Sequence, residues 1–274
     1  MRVAYQGEPG AYGEEAVHRL FGTVSTVQCA SFADVFETVQ NGGADRGVVP
    51  VENSLAGSIN ETYDLLLAHD LVITGELGLR VSHCLMALPG QALDRIKKVY
   101  SHPQALAQSS TFLKRLDIEL VPYYNTAGSA KMIREQGLVG CAAVASRRAA
   151  TLYGLEVLAE AIETTPNNYT RFLDLSTIPA KHVDRSKTSI VFVVQNEVGT
   201  LYAALGSLAT RGVNLIKIES RPARRRPWEY TFYVDVDGHA EVEPLRDALV
   251  QLRQHTTFLR VLGSYPKASL PDAE

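Results

Sequence analysis

Within Asn167-Asn168-Tyr169-Thr170-Arg171-Phe172, a hydroxyl and a guanidinium stand side by side where a loop becomes a strand. The turn signal Thr165-Pro166-Asn167 precedes the pair and the apolar run Phe172-Leu173-Asp174-Leu175 follows it. A threonine hydroxyl can pass or share a proton with a leaving oxygen, and an arginine offers a fixed fork to one carboxylate. An ordinary edge strand with Thr placed for β-propensity would use the same residues. The upstream chain decides between these readings. Four helix starts there carry small or hydroxyl residues just after a strand: Gly7 to Gly13 (with Gly10, Ala11 and Tyr12), Asn53-Ser54 with Gly57-Ser58, Ser101-His102-Pro103 with Gln104, and Thr126-Ala127-Gly128-Ser129. Such starts present free N–H groups and a positive partial charge. One capping Ser or Thr means little. Four of them together with Arg171 point to a pocket for a small anion.

Other chemistries lack support. Gly7-Glu8-Pro9-Gly10-Ala11-Tyr12-Gly13 is not a dinucleotide fingerprint, and there is no Walker sequence. The 7 His residues are scattered without HxxxH spacing, so no metal site is expected. Cys29, Cys84 and Cys141 are odd in number and far apart, which supports neither a disulfide framework nor zinc. The net charge of −3 gives no reason to expect nucleic acid or an anionic membrane. The run Arg221, Arg224, Arg225, Arg226 reads as a solvated loop. His102 reads as a structural helix-start residue before an acid or base, and Glu52 as a structural acceptor. Met1-Arg2 leads straight into a strand pattern, not a signal peptide, and no apolar run reaches membrane-spanning length. A cytoplasmic protein is expected.

The elements that must position these residues alternate. Val3 to Gln6, Val24 to Cys29 and Gly47 to Val51 read as strands; Gly10 to Leu20 and the segment opened by the capping box Ser31 to Asp34 read as helices. Ser58-Ile59-Asn60-Glu61 reads as a second capping box, for a helix through Leu67. This pattern predicts an α/β layer with a largely parallel sheet. Leu71 to Leu88 reads as two strand-like runs, with Gly75 and Gly78 between them, crossing into a second lobe. Strands at Lys98 to Tyr100, Ile118 to Tyr123 and Val139 to Val144 follow, with helices opened by Pro103, Thr126 and Ser146. Two such lobes leave a cleft for a small ligand. After a linker (Thr177 to Lys187) the order is βαββαβ, a ferredoxin-like module; Ser269 to Glu274 reads as a frayed tail.

Several of these pieces resemble one family. Tyr169-Thr170-Arg171-Phe172, Val49-Pro50-Val51-Glu52-Asn53-Ser54, His102-Pro103-Gln104-Ala105-Leu106 and Gly7 to Tyr12 are similar to prephenate dehydratase; Asn196 to Leu201 and Ile218 to Pro222 are similar to the ACT regulatory domain joined to it. The resemblance implies a two-lobed, periplasmic-binding-protein-like catalytic domain over 1–179 and a ferredoxin-like ACT domain over 188–265. It implies decarboxylative dehydration of prephenate to phenylpyruvate in phenylalanine biosynthesis, with no cofactor, in the monofunctional form. Thr170, Arg171, Asn53, Ser54 and Thr126 are then the expected catalytic residues. Thr170 hydrogen-bonds or relays a proton to the leaving oxygen, and Arg171 holds the side-chain carboxylate. Phe172, Glu52, Gly10, Ala11, Tyr12, His102 and Gln104 are expected to bind substrate. L-Phenylalanine is the expected effector, at Gly199, Thr200, Leu201 and Asn214 of one chain and Glu219, Ser220, Arg221 and Pro222 of another, in a homodimer or homotetramer. Gly13, Asn125 and Ser129 depart from the family's usual Ser, Asp and Ala, which bears on prephenate against arogenate; Val198 and Thr200 depart in the regulatory motif. Two rival readings are an arogenate dehydratase and a non-enzymatic binder of small anions or amino acids, since lobes with a cleft also describe solute-binding proteins.

Overall fold

The computed structural model describes residues 1–222 and 229–268. Arg224, Arg225, Arg226 and the 269–274 tail lie outside the described residues. In order, the elements are β1 (Arg2–Gln6), α1 (Tyr12–Phe21), β2 (Ser25–Cys29), α2 (Phe32–Gln40), β3 (Arg46–Asn53), β4 (Gly57–Ser58), α3 (Asn60–Ala68), β5 (Val72–Arg80), β6 (Cys84–Ala87), β7 (Lys98–Ser101), α4 (Pro103–Gln108), α5 (Ser110–Leu113), β8 (Glu119–Pro122), α6 (Thr126–Gln136), β9 (Cys141–Ala145), α7 (Arg147–Tyr153), β10 (Glu156–Ala159), β11 (Tyr169–Ser176), β12 (Ser186–Val193), α8 (Thr200–Ala209), β13 (Leu215–Pro222), β14 (Tyr230–Asp237), α9 (Leu245–Gln254) and β15 (Phe258–Pro266). They form three sheets, ordered β2-β1-β3-β11-β5 with β4 on β3, β10-β6-β9-β7-β8, and β13-β14-β12-β15.

The chain divides into two compact units, whose described parts are residues 1–62 with 77–172, and 63–76 with 173–268. In the first unit, Val3 and Tyr5 of β1 and Val48 of β3 pack with Ala16 and Val17 of α1. The second sheet of this unit is built on small residues. Ala143 and Ala145 of β9 pack with Ala127, Ala130 and Ile133 of α6, and Ala149 and Ala150 of α7 join them. Small side chains let helices lie close to the strands, so helix starts come near the strand ends. α2 starts as expected, with Asp34 N donating to Ser31 Oγ (3.1 Å) and Ser31 N to Asp34 Oδ2 (2.9 Å).

The second unit carries the βαββαβ order. β12 pairs antiparallel with β14 and β15, and β13 with β14. Ile190 and Phe192 of β12 face a core shared with Ala204 and Leu208 of α8 and Leu245, Ala248 and Leu252 of α9. Side chains alternate along a strand, so Lys187, Ser189 and Val191 face the other way. That face is buried too, because residues 63–76 belong to this unit. Tyr233 Oη donates to Tyr63 O (2.9 Å), and Arg260 Nη2 to His69 O (2.6 Å).

Several expectations need correction. The sheets are mixed: β1 runs parallel to β2 and β3, but β6 runs antiparallel to both β9 and β10. Gly75 and Gly78 do not separate two strands; both lie inside β5. A Cβ on Gly75 would approach Asp174 Cβ at 3.4 Å, so the glycine marks a close approach and not a turn. Ser58 is not a helix cap. It pairs with Glu52 in β4, and α3 starts at Asn60. Asn125, not Thr126, caps α6, its Oδ1 accepting from Gly128 N at 3.0 Å. Strand β10 has no counterpart in the sequence reading.

Candidate active site

A cavity of about 430 Å³ lies in the first unit, and the starts of α1, α4 and α6 and the β3–β4 turn all reach it. Ala11, Tyr12 and Gly13 come from the start of α1, His102 and Gln104 from the start of α4, Asn125 and Thr126 from the start of α6, Ala56 from the β3–β4 turn and Gly57 and Ser58 from β4 itself. Asn53, Thr170 and Phe172 join the wall from the strands. Among the described residues that line it there is no Lys or Arg.

Two stretches far apart in sequence are fastened together here. Asn53 Nδ2 donates to Asn168 Oδ1 (2.7 Å), Tyr169 O (3.1 Å) and Thr170 Oγ1 (3.0 Å). Asn53 Oδ1 accepts from Leu55 N (3.0 Å) and Ala56 N (2.9 Å), which shapes the turn beneath the cavity. Asn53 and Thr170 are 8% and 9% exposed, so these bonds sit largely out of water. Thr170 Oγ1 thus accepts from Asn53, and its own proton is available to another partner.

Strand alternation separates the rest of the expected set. Arg171 does not line the cavity. It lies on the face of β11 opposite Thr170 and Phe172, and its Nη1 pairs with Glu52 Oε1 at 3.0 Å. The carboxylate fork expected of Arg171 is therefore corrected: its guanidinium braces β3 against β11. Glu52, expected to touch substrate, takes the other half of that brace and does not line the cavity. Ser54 is also a fastener, its Oγ donating to Asn167 O and accepting from Tyr169 N, both at 3.0 Å. Gly10 does not line the cavity; its φ is 88°, and a Cβ there would meet Ala149 Cα at 2.9 Å. Only glycine allows α1 and α7 to approach this closely. Its carbonyl accepts from Ser146 Oγ (2.7 Å), and its N–H donates to Glu14 Oε2 (2.9 Å).

The loop ahead of α1 is tied to α6 through Glu8, which accepts from Tyr124 Oη (2.9 Å) and Lys131 Nζ (3.0 Å). Burial opposes ionisation of Glu8, but these two hydrogen bonds outweigh it and hold the carboxyl below its ordinary range. His102 uses Nδ1 to accept from Gln104 N (3.3 Å), capping its own helix while its ring borders the cavity.

Sequence reasoning missed Gln6, His83 and Gln108 as polar lining residues. His83 is 2% exposed; its Nδ1 lies 3.0 Å from Tyr12 Oη and its Nε2 lies 3.0 Å from Gln108 Oε1. Burial lowers its pKa, partly offset by the Gln108 hydrogen bond and the Glu163 carboxylate. Burial also pushes the Tyr12 phenol well above its usual value. Gln108 sits four residues after Gln104, one helical turn on, and that spacing was the available signal.

In the second unit, a hollow of about 450 Å³ surrounds the start of α8, with Gln195, Val198, Gly199, Thr200 and Ala203 on one side and 254–257 on the other. Thr200 Oγ1 donates to Gln195 O at 2.7 Å. Leu201 packs into the unit's core instead. Asn214 Nδ2 donates to Asp237 Oδ2 (3.0 Å), and Arg221 Nη2 pairs with Asp64 Oδ2 (3.2 Å). Glu219, Ser220, Arg221 and Pro222 lie on edge strand β13 and do not line this hollow.

A family model described as prephenate dehydratase matches residues 3–179, and one described as ACT domain matches 188–254. The chain is 45% identical to arogenate dehydratase 5, chloroplastic, of Arabidopsis thaliana, over 99% of this chain and 68% of that protein. It is also 45% identical to arogenate dehydratase/prephenate dehydratase 2, chloroplastic, of the same plant, over 97% of this chain and 73% of that one. The solved prephenate dehydratase of Arthrobacter aurescens in complex with L-Phe superposes with a TM-score of 0.90 at 32% identity, covering 100% of this chain and 92% of that one. A structure described as a novel type of quorum quenching acylase has a TM-score of 0.90 at 38% identity, covering 98% of both chains. The chain belongs to the prephenate and arogenate dehydratase family of aromatic amino acid biosynthesis, with an ACT domain following the dehydratase region.

Proposed function

We propose that the protein converts prephenate to phenylpyruvate, releasing carbon dioxide and water. The observation that carries this reading is Thr170 Oγ1, fixed by Asn53 Nδ2 at 3.0 Å in a cavity whose wall combines helix starts with neutral polar groups. The substrate is a dianion, and backbone N–H groups at the starts of α1 and α6 suit its carboxylates. When the ring carboxylate leaves as carbon dioxide, its bonding pair enters the ring and the ring hydroxyl departs. Aromatisation drives both events. The departing oxygen needs a proton or a strong hydrogen bond, and Thr170 has its O–H available while its lone pair is held by Asn53. Gripping the departing carboxylate equally in ground and transition states would not accelerate its loss, so a wall without fixed cations around that group suits the chemistry.

The substrate choice is tested by incubating the purified protein with prephenate and with arogenate and separating phenylpyruvate from phenylalanine. A higher kcat/KM for prephenate is expected. Preference for arogenate, as in the names of several relatives, would overturn the choice, and conversion of neither would overturn the function. The acylase chemistry named for one structural neighbour calls for a nucleophile activated by a base. Thr170 receives a hydrogen bond from an amide instead, and nothing favours that second reading.

The same proposal includes feedback inhibition by phenylalanine at the hollow beside Gly199, in a homodimer or homotetramer in which β13 of a second copy completes the site. Gly199 has φ of 85° with open space around it, so its backbone is reachable by an amino-acid carboxylate. Gly199→Val is expected to abolish inhibition by phenylalanine while prephenate turnover persists; unaltered inhibition would move the effector site elsewhere. A cytoplasmic location goes with this reading, resting on the scattered, unpaired cysteines.

A further inference from the structure

The cavity accepts a dianion without a Lys or Arg among its described lining residues, yet it holds two imidazoles, His83 and His102. Hydrogen-bond bookkeeping distinguishes them. Ser82 O can only accept, so the Tyr12 phenol proton is committed to it at 2.7 Å. The Tyr12 oxygen then has only lone pairs to offer His83 Nδ1, 3.0 Å away, so Nδ1 carries a proton. In a neutral ring Nε2 is therefore bare, and Gln108 must turn its amide N–H toward it and its oxygen toward the cavity. In a charged ring Nε2–H donates, Gln108 presents Oε1 to His83, and its NH2 group turns toward the ligand. The end of the Gln108 side chain lies 3.0 Å from Nε2, so a turn of its amide serves either state of the ring.

On the proposed reaction, we infer that His83 is the site's ionisable positioning residue: it takes up a proton from solvent when the dianionic substrate binds, and so switches Gln108 from acceptor to donor. The surroundings support a ring balanced between the two states. Burial favours the neutral form in the free protein. Opposing it, the Glu163 carboxylate accepts from His83 N at 2.9 Å, with Arg80 3.7 Å from the same carboxylate. Tyr12 of α1 faces the ring edge-on, Gln108 of α4 is neutral, Cys84 is the next residue, and Glu15 of α1 acts on Tyr12. A substrate dianion adds the negative charge that moves the balance toward imidazolium. His102 is exposed, and its Nδ1 is occupied by its own helix cap.

The test is the pH profile of prephenate conversion between pH 6 and 9, a range in which both substrate carboxylates stay ionised. For the native protein, kcat/KM should fall about tenfold per pH unit above the free-enzyme pKa of His83, while kcat stays level. His83→Gln should lose that limb and be about tenfold lower in kcat/KM at pH 6. His102→Gln should keep the limb. A limb that survives in His83→Gln, or disappears only in His102→Gln, overturns the inference. Nitrogen-15 NMR of the free protein at pH 8 reads the ring directly and should show the Nδ1–H tautomer; an Nε2–H tautomer overturns the inference even if neither prephenate nor arogenate is converted, an outcome that would separately sink the proposed reaction.

Discussion

The cavity around Thr170 and the covered sheet face around Lys187 both bury polar groups, but of opposite kinds. At the cavity, apart from the ionisable ring of His83, the buried groups carry no charge of their own: Asn53, Thr170, Gln108 and helix-start backbone. On the sheet face they are charged. Lys187 Nζ lies 2.7 Å from Glu76 Oε2 and 3.5 Å from Asp235 Oδ2, with all three side chains under a tenth exposed. Ser189 bridges Asp235 and Tyr265 next to them. A permanently paired buried charge is a fixture, because removing one partner strands the other. On the proposed reaction, a site that must admit a dianion and release a monoanion on every turnover does better with neutral donors that water can satisfy between cycles. Arg171 fits the first kind, since its guanidinium pairs with Glu52 and not with the cavity.

The sharpest way to break this contrast is to put a permanent charge into a wall whose described residues include no Asp, Glu, Lys or Arg. Asn53→Asp replaces the Nδ2 donor with a carboxylate oxygen that cannot donate to Thr170, and places an anion beside the substrate. Initial rates should show kcat/KM reduced by about a thousandfold or more, combining a lost positioned donor with like-charge repulsion. Near-native activity in this variant would mean that the amide donor is dispensable. The converse change, removing the charge from the fixture, should act on stability. Lys187→Met leaves two buried carboxylates facing each other and should cost about 3–5 kcal/mol in urea unfolding. Adding Glu76→Leu and Asp235→Leu should recover much of that loss. A small cost for the single variant would mean that water reaches the face.

Arg171→Lys sharpens the contrast at smaller scale. If Arg171 is a brace, the lysine keeps the charge but loses the fork, and KM should change less than about threefold, with stability down by about 1 kcal/mol. A KM raised tenfold or more with stability intact would return Arg171 to the pocket.

Much of this was legible in the sequence, for identifiable reasons. Three of the four expected helix starts announce themselves through glycines, hydroxyls and Pro103 and do open α1, α4 and α6 at the cavity wall, whereas the fourth, Asn53 to Ser58, reaches that wall as the link between β3 and β4. The βαββαβ order of the second unit was visible because its strands and helices are long and periodic. What failed was orientation. Thr170 and Arg171 look like a functional pair in sequence, but neighbouring residues on a strand point to opposite faces, and which face meets the cavity depends on β3 lying beside β11. His83 was invisible because it lies inside Leu71 to Leu88, which reads as strand-like runs crossing between lobes; only packing against Tyr12 and Gln108 distinguishes its ring. The burial of both faces of β12 was equally hidden, since residues 63–76 cover one of them from more than a hundred positions away.

The central claim is that the Thr170 hydroxyl acts on the leaving oxygen and not on affinity. Single-turnover conversion of prephenate by Thr170→Ala, with binding measured separately by calorimetry, tests it most directly. The account predicts a chemical step slowed by about a hundredfold or more with Kd within about threefold of native, and partial recovery in Thr170→Ser. A near-native single-turnover rate with a weakened Kd would make Thr170 a binding contact and contradict the account.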